Sequence, residues 1–322
     1  MPGAEMSGFF EGFSETTADL GDGRQFRLRS GGGGPPLVML HGMPQTHCMW
    51  HRIAPALASR FTVICPDITG YGLSYKPAAS EDHEAYSKRR MARDIVDLVA
   101  HLGIDRFALV GHDRGARVSH RLALDHPERI SRLALLDIIP TIEHFERTDM
   151  RFALLDIIPT IEHFERTDMR FAMGYYHWFF LAQPAPLPED LINRDAGYWL
   201  LSQTARHKTA KAVFDETAMA DYRRAMADPA TVTAICEDYR AAAAIDLDHD
   251  RESRARRERI TAPLQVLWGS RGLVGALYDP LEIWQGYASG PVRGQAIESG
   301  HFLAEEAPEA TLAALLEFLA DG

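Results

Sequence analysis

Short runs of apolar residues recur over the first 140 residues and again near residue 264. The runs that predict buried strands lie at residues 26–29 (FRLR), 37–40 (LVML), 61–65 (FTVIC), 107–110 (FALV), 133–138 (LALLDI) and 264–268 (LQVLW). Apolar residues spaced along one helix face occur at residues 91–102, 118–124 and 312–319. Strands that alternate with helices predict an α/β fold, with a mostly parallel central sheet flanked by helices on both faces.

The pattern changes between about residues 140 and 240. Aromatic residues, prolines and helical spacing dominate there, and buried strand runs become scarce. This texture predicts a helical cap inserted into the α/β domain. We therefore expect residues 1–139 and 241–322 to form the core and residues 140–240 to form the cap.

One segment of the chain is repeated without a change. Residues 134–152 (ALLDIIPTIEHFERTDMRF) recur at 153–171. Solenoid repeats drift in sequence over three or more copies, so one perfect tandem copy is typical of a recent duplication or an artefact. The first copy follows the preceding helix directly, and such connections are usually short. We expect the strand from the first copy, with the surplus, at roughly 139–157, looped out or absorbed as extra cap helix.

Charge and cysteine content exclude several classes of partner. The net charge of −11 is unsuited to a phosphate backbone, so no nucleic-acid partner is expected. No apolar run reaches the roughly 18 residues that span a bilayer, so no membrane partner is expected either. The three cysteines form neither a CxxC pair nor a metal-ligand spacing, and no signal peptide is evident. These features favour a reducing cytoplasm.

The sequence Gly-His-Asp-Arg-Gly at 111–115 directly follows the FALV run. It has the G-x-Nu-x-G form of a nucleophile elbow, the sharp strand-to-helix turn of the α/β-hydrolase fold. Asp113 occupies the nucleophile position, and a carboxylate can attack an sp³ carbon to form an ester that water later cleaves. The alternative is a glycine-bounded turn in which Asp113 only caps a helix.

Two further segments agree with the elbow. His41-Gly42-Met43-Pro44 follows the LVML strand, where this fold places its oxyanion loop, so the backbone N–H groups of Met43 and Arg114 are the candidate donors. His301 lies in SGHF, just before the last predicted helix, which is where this fold places its general base.

Seven motifs together resemble the fluoroacetate (haloacetate) dehalogenases. They extend over most of the chain, cap included, and are HGMPQ, DITGYG, GHDRGAR, LDIIPT, YYHWFFLAQPAPLPE, CEDYR and ESGHFL. The resemblance implies Asp113 as nucleophile, His301 as the base that activates water, and Asp137, or its duplicate Asp156, as the acid that orients the base. It also implies a homodimer. The remaining implied roles are substrate-carboxylate binding by Arg114 and Arg117 and halide binding by His177, Trp178 and Tyr239.

Simple chemistry is consistent with these implied roles. Arg114 and Arg117 are three residues apart, so both can lie on one face of a helical turn and clamp a small carboxylate. Fluoride is a poor leaving group and needs concentrated hydrogen-bond donation in the transition state. After LQVLW, where many relatives carry the triad acid, Gly269-Ser270-Arg271-Gly272 has no aspartate, so the acid must come from elsewhere. The resemblance implies that it comes from the end of the preceding strand.

The resemblance therefore implies a two-step dehalogenase that converts fluoroacetate and water to glycolate and fluoride. Neither a metal-ligand cluster nor a dinucleotide fingerprint is present, so no metal and no cofactor are expected. An epoxide hydrolase or haloalkane dehalogenase remains an alternative, although a bulky residue such as Trp usually follows the nucleophile there and Arg114 favours an anion. A non-catalytic protein of the same fold is the second alternative.

Overall fold

The computed structural model describes residues 9–147, 169–205 and 213–320. An eight-stranded sheet lies at its centre, in the order β1-β2-β4-β3-β5-β6-β7-β8. The strands are β1 (Phe13–Asp19), β2 (Gln25–Gly32), β3 (Pro36–Leu40), β4 (Thr62–Pro66), β5 (Phe107–His112), β6 (Ile130–Leu136), β7 (Leu264–Gly269) and β8 (Val292–Ile297). Strands β1/β2 and β2/β4 pair antiparallel, and all other neighbours pair parallel.

Helices cover both faces of this sheet. In the first part of the chain they are α1 (Ala54–Leu57), α2 (Lys88–His101) and α3 (Asp113–Asp125). Between β6 and β7 the described helices are α4 (Thr141–Arg147), α5 (Met169–Gly174), α6 (Tyr176–Leu181), α7 (Leu187–Arg194), α8 (Ala196–Thr204), α9 (Glu216–Met226), α10 (Pro229–Ala243) and α11 (Ile245–Ala255). The last are α12 (Leu273–Leu277), α13 (Pro280–Gln285), α14 (Leu303–Glu306) and α15 (Pro308–Ala320).

The predicted fold class is confirmed, and the long helical stretch between β6 and β7 has the texture expected of a cap. The division into core and cap stays a prediction. Short 3₁₀ turns lie at His47–Trp50, Glu84–Tyr86 and Pro127–Arg129. Within the described ranges, no helix has both the length and the apolar character needed to cross a membrane.

The pattern of apolar residues did not predict the two outermost strands. β1 (FSETTAD) and β8 (VRGQAI) are the edges of the sheet, and most of their residues are exposed or half-buried. An edge strand needs no continuous apolar run, because much of it contacts water. The central strands β3, β4, β5 and β6 are almost wholly buried, which is why their apolar runs were visible.

The first copy of the repeat supplies β6. This strand begins three residues before the predicted position 133 and ends at Leu136, so Asp137 follows the strand instead of lying in it. Residues 139–147 belong to the segment that was expected to be looped out or absorbed as extra cap helix, and residues 141–147 are helical. They form a buried link and helix α4, which border the candidate site. The remaining expected surplus, residues 148–157, lies outside the described residues, as does Asp156.

Candidate active site

Asp113 lies at the sharp turn between β5 and α3. Its backbone has φ = +46°, a conformation that non-glycine residues rarely adopt. Backbone strain of this kind is found most often at functional sites. Glycines on both sides let the turn close. A Cβ atom on Gly111 would lie 2.6 Å from the Cα of Ala116, and one on Gly115 would lie 2.5 Å from the carbonyl oxygen of Leu40. The local sequence therefore forms the elbow that its spacing predicted.

The carboxylate of Asp113 is held by the loop after β3. The backbone N–H of Met43 donates to Asp113 Oδ2 over 3.0 Å. A Cβ atom on Gly42 would lie 2.5 Å from the Cβ of Asp113, so only glycine allows this approach. The other proposed donor, the N–H of Arg114, lies in the first turn of α3, where backbone N–H groups have no intrahelical acceptor.

His41 fixes the conformation of this loop. Its Nε2 accepts the backbone N–H of Ile68 over 3.1 Å, so its Nδ1 carries the proton and donates to the carbonyl of Gly42 over 3.0 Å. Burial lowers the pKa of His41, which keeps the ring neutral. A neutral ring that bridges two loops is suited to holding Met43 in place.

Charges around Asp113 favour its ionised form. Burial alone would raise its pKa, but His301, His112 and the two arginines Arg114 and Arg117 hold it below the ordinary value. The carboxylate is therefore ionised and available as a nucleophile at neutral pH.

His301 contacts the aspartate that follows β6. His301 Nδ1 lies 2.6 Å from Asp137 Oδ2, and Asp137 Oδ1 accepts the N–H of Gly269 over 3.0 Å. The backbone N–H of Asp137 donates to the carbonyl of Leu267 over 2.7 Å. Its carboxylate thus bridges the end of β7 and the imidazole, the arrangement that orients a general base.

Two residues that the sequence did not single out hold the loop of His301. The carboxylate of Glu306 accepts the N–H groups on both sides of the histidine, from Gly300 over 2.7 Å and from Phe302 over 3.0 Å. His112 Nε2 lies 2.8 Å from the carbonyl oxygen of His301, so this nitrogen carries the proton and donates. A Glu five residues after a histidine is a sequence signal, although a weak one.

Arg117 is a buried cation without a carboxylate partner in the described part of the chain. Its Nη1 donates to the carbonyl of Ile139 over 3.1 Å and to Thr141 Oγ1 over 3.0 Å, while its Nε has no partner there. Burial and the nearby charge of Arg114 lower the pKa of Arg117 to about 10. A buried, unpaired guanidinium favours an anionic ligand.

The hydrogen bonds of Arg114 differ from those expected of a residue that clamps a substrate carboxylate. Its Nε donates to Asp238 Oδ2 over 2.8 Å and its Nη2 donates to both the side chain and the backbone of Asp238. Two of its nitrogens are therefore occupied by protein, and a two-pronged contact from Arg114 to a substrate is excluded in this arrangement. Asp238 belongs to the CEDYR motif, and nothing in the local sequence indicates that it contacts Arg114.

The three predicted halide-binding residues come together. Helix α6 carries His177 and Trp178, and α10 carries Tyr239. The ring centroid of Tyr239 lies 5.7 Å from that of His177 and 5.7 Å from that of Trp178. The guanidinium carbon of Arg117 lies 4.7 Å from the Trp178 ring. Ring donors and a cation thus share one region.

A small cavity of about 20 Å³ lies between these groups. That is room for about one water molecule. It is lined by Asp113, Arg117, Asp137, His144, Tyr175, His177, Trp178, Leu273 and His301. Arg114 and Tyr239 are not among the lining residues. A larger cavity of about 230 Å³ lies elsewhere, beside His120 and Asp250, and contains none of the predicted site residues.

The site is also lined by three residues to which the sequence analysis assigned no role: His144, Tyr175 and Leu273. His144 belongs to the first copy of the repeat, and its ring lies 5.2 Å from those of Tyr175 and Trp178. In sequence, His144 is one of 14 histidines and carries no spacing signal. Ring contacts between α4 and α6, from His144 and Phe145 to Trp178, place it at the cavity.

Comparison with known proteins identifies the family of this chain. The family model of the alpha/beta hydrolase fold matches residues 35–308. The chain belongs to the α/β-hydrolase fold family, and its relatives include dehalogenases and epoxide hydrolases.

Among individual relatives, a fluoroacetate dehalogenase from Burkholderia sp is 40% identical over 313 residues, which cover 97% of this chain and 95% of that protein. A soluble epoxide hydrolase from Corynebacterium sp. (strain C12) is 32% identical, over 93% of this chain and 95% of that protein. The solved structure of ALR0039 from Nostoc sp PCC 7120 superposes with a TM-score of 0.87 at 45% identity, covering 97% of this chain and 100% of that one.

Proposed function

We propose that this protein is a hydrolytic dehalogenase that converts a small haloacid, with fluoroacetate as the type substrate, to the hydroxyacid and halide. The observation that carries the proposal is that Asp113 and Arg117 line the same cavity. A nucleophilic carboxylate there faces a buried cation that has no carboxylate partner in the described chain. Such a site favours a substrate that carries both an electrophilic carbon and a negative charge.

In the first step, Asp113 Oδ1 attacks the carbon next to the substrate carboxylate. The new C–O bond forms as the C–F bond breaks, and its electron pair leaves with fluoride. Donors on the rings of His177, Trp178 and Tyr239 stabilise the departing ion. Because the cavity of about 20 Å³ has room for about one water, substrate binding requires these cap side chains to move apart.

In the second step, His301 takes a proton from water, and the resulting hydroxide attacks the carbonyl carbon of the Asp113 ester. Asp137 stabilises the imidazolium that forms. Negative charge collects on Oδ2, where the N–H of Met43 already lies at 3.0 Å. The bond between the carbonyl carbon and the glycolate oxygen then breaks, and the leaving glycolate oxygen takes the proton from His301. Asp113 is released as the carboxylic acid and loses the second proton of the water to solvent, which regenerates its carboxylate. No step requires a metal or an organic cofactor.

Epoxide hydrolysis is the second candidate, and one observation favours it. Tyr175 lines the cavity, and burial raises its pKa well above the ordinary value, so its phenol stays protonated and could donate to an opening epoxide. The unpaired charge of Arg117 disfavours a neutral epoxide or haloalkane at the same place. A haloacid is therefore the better match.

Fluoride release from the purified protein tests the proposal. We expect turnover of fluoroacetate, with styrene oxide and 1-chlorobutane turned over far more slowly or not at all. Asp113→Ala is the control, because it removes the nucleophile and should abolish release. Faster turnover of styrene oxide would support the epoxide candidate, and no turnover of any of the three would support a non-catalytic protein. Loss of activity with a chelator and its return with metal would contradict metal-free chemistry.

The proposed setting is cytoplasmic, with water as the second substrate. All three cysteines, Cys48, Cys65 and Cys236, are buried and none forms a disulfide, which suits a reducing compartment. A homodimer is carried over from the resemblance alone, and size-exclusion chromatography with light scattering would test it.

A further inference from the structure

The guanidinium of Arg114 is fixed by one carboxylate. Nε and Nη2 both donate to Asp238, and Nη2 also donates to its backbone carbonyl over 2.9 Å. Both side chains are fully buried. A bidentate contact of this kind sets the orientation of the guanidinium plane as well as its position.

Asp238 cannot turn away, because its carboxylate has other donors. Tyr71 donates its hydroxyl to Oδ2 over 2.6 Å, and the ammonium of Lys88 donates to Oδ1. Burial opposes ionisation, yet the charges of Arg114 and Lys88 hold the pKa of Asp238 well below its ordinary value. The carboxylate therefore stays charged and accepts four side-chain hydrogen bonds.

These contacts use two of the three guanidinium nitrogens of Arg114. Nη1 is buried and has no partner in the described part of the chain. The guanidinium carbon lies 4.3 Å from the ring of Tyr239 and 5.7 Å from that of Trp178, so Arg114 lies against two of the proposed halide-binding rings. Its charge also lowers the pKa of Arg117, as expected for two nearby cations.

We propose that Asp238 is a positioning residue for the substrate: it occupies Nε and Nη2 of Arg114 and so reserves Nη1 as the one donor nitrogen that Arg114 offers to the substrate carboxylate. This inference rests on the proposed function for its substrate class. The carboxylate is then held by Nη1 of Arg114 together with Arg117, instead of by two bidentate arginines. Such a grip suits a small monoanion, because two separated donors accommodate one carboxylate on a short carbon chain.

The primary test is the affinity for acetate, a carboxylate that cannot react, measured by calorimetry on the full chain. Asp238→Asn keeps the size of the side chain but removes its charge and one of its two acceptor oxygens, so Arg114 loses the bidentate contact that orients it. We expect roughly 10-fold weaker acetate binding, the scale of one charged hydrogen bond, with KM for fluoroacetate raised in parallel. Asp246→Asn is the matched control: Asp246 also contacts Lys88, at 3.4 Å, and no contact joins it to Arg114. It should bind acetate within about 2-fold of wild type.

A double mutant separates positioning from general damage. If Asp238 acts through Arg114, then Asp238→Asn should change acetate affinity by less than about 2-fold in an Arg114→Met background. An undiminished effect in that background, or wild-type affinity in the single variant, would overturn the proposal. Should Asp238→Asn fail to fold, Tyr71→Phe removes only one donor to Asp238. We then expect roughly 3-fold weaker acetate binding, and no change would contradict the proposal.

The two proposals fail in different ways. A wild-type protein that releases no fluoride, but whose acetate binding depends on Asp238 through Arg114, would refute the dehalogenase function and leave the positioning role intact. A wild-type protein that releases fluoride, but whose acetate binding does not depend on Asp238, would support the dehalogenase function and refute the positioning role.

Discussion

The backbone N–H of Met43 donates to Oδ2 of Asp113 over 3.0 Å. This bond distinguishes the two carboxylate oxygens before any substrate binds, because it leaves Oδ1 as the oxygen free to attack. In the proposed mechanism, the same N–H then stabilises the negative charge that develops on Oδ2 when water attacks the ester. One donor thus serves both chemical steps.

A single turnover in ¹⁸O-labelled water tests this scheme. In the proposed second step water attacks the carbonyl carbon of the Asp113 ester, so the label should enter Asp113 and the first glycolate should carry unlabelled oxygen from the enzyme. Mass spectrometry of the peptide that contains Asp113 and of the product would measure both. Label in the first glycolate, with none in Asp113, would mean that water attacks the substrate directly.

Replacement of His301 should stop the reaction between its two steps. His301→Gln removes the base that activates water but leaves Asp113, Arg117 and the halide-binding rings in place. We expect a stable adduct of one carboxymethyl group on Asp113 after incubation with fluoroacetate, found by peptide mass spectrometry. Fluoride should appear as one equivalent and then cease. An adduct on another residue would refute Asp113 as the nucleophile.

Removal of the charge of Arg117 should weaken substrate recognition. Arg117→Met keeps an apolar stem of similar length, and we expect kcat/KM for fluoroacetate to fall by about 10-fold or more, from the loss of a charged hydrogen bond. Arg121→Met is the matched control on the same helix, since Arg121 is equally buried but is paired with Asp125 at 2.6 Å. We expect kcat/KM of the folded Arg121→Met protein to stay within about 2-fold of wild type. An equal loss of kcat/KM in both variants would show that Arg117 has no specific role in substrate recognition.

The buried carboxyl of Glu305 gives a prediction about stability and pH. Burial raises the pKa of Glu305 to about 8, from an ordinary 4.5, while Gln45 and Tyr222 donate to it. Between these two pH values the unfolded chain releases a proton that the folded chain keeps, so stability falls as the pH rises. Glu305→Gln removes this cost.

The melting temperature of Glu305→Gln should therefore exceed that of wild type by about 2 °C or more at pH 8, and by less at pH 5. Thermal melts followed by circular dichroism at both pH values would measure the difference. A variant that is less stable at pH 8 than wild type would show that the ionised carboxylate contributes favourable contacts.

Patterns within single segments predicted the centre of this molecule well. The G-x-Nu-x-G spacing located Asp113, and chain order located His301, because both depend on local turns between a strand and a helix. Pairings across long separations could not be predicted in this way. Asp238 reaches Arg114 across 124 residues, and His144 reaches the cavity only because α4 packs beside α6. Neither position differs locally from an ordinary buried polar residue.

The repeat supplies the remaining prediction, since Asp137 and Asp156 are equivalent within it. Asp137 follows β6, which pairs with β5 and β7, and its Oδ2 lies 2.6 Å from His301 Nδ1. The two copies are preceded by different residues, because the end of the first copy precedes the second. Strand β6 begins with the buried Ile130, and the position equivalent to Ile130 before the second copy is Asp149.

Use of the second copy in the sheet would therefore replace a buried isoleucine beside Phe107 with a carboxylate, which costs several kcal/mol without a partner. It would also replace the fully buried Leu133 with the larger Phe152. Both changes favour the first copy, whose upstream residues already fit the sheet. The choice of register thus follows from the four residues before each copy, because the copies themselves are identical.

We accordingly expect Asp137→Asn to form the ester and then hydrolyse it at least about 100-fold more slowly than wild type, since the imidazole loses the carboxylate that orients it. Asp156→Asn is the matched control and should turn over like wild type. The rate of fluoride release after the first equivalent, together with the adduct on Asp113, measures the defect. If Asp156→Asn stalls at the ester while Asp137→Asn stays active, the strand uses the second copy. If only the double variant stalls, the two registers exchange and either aspartate can orient His301.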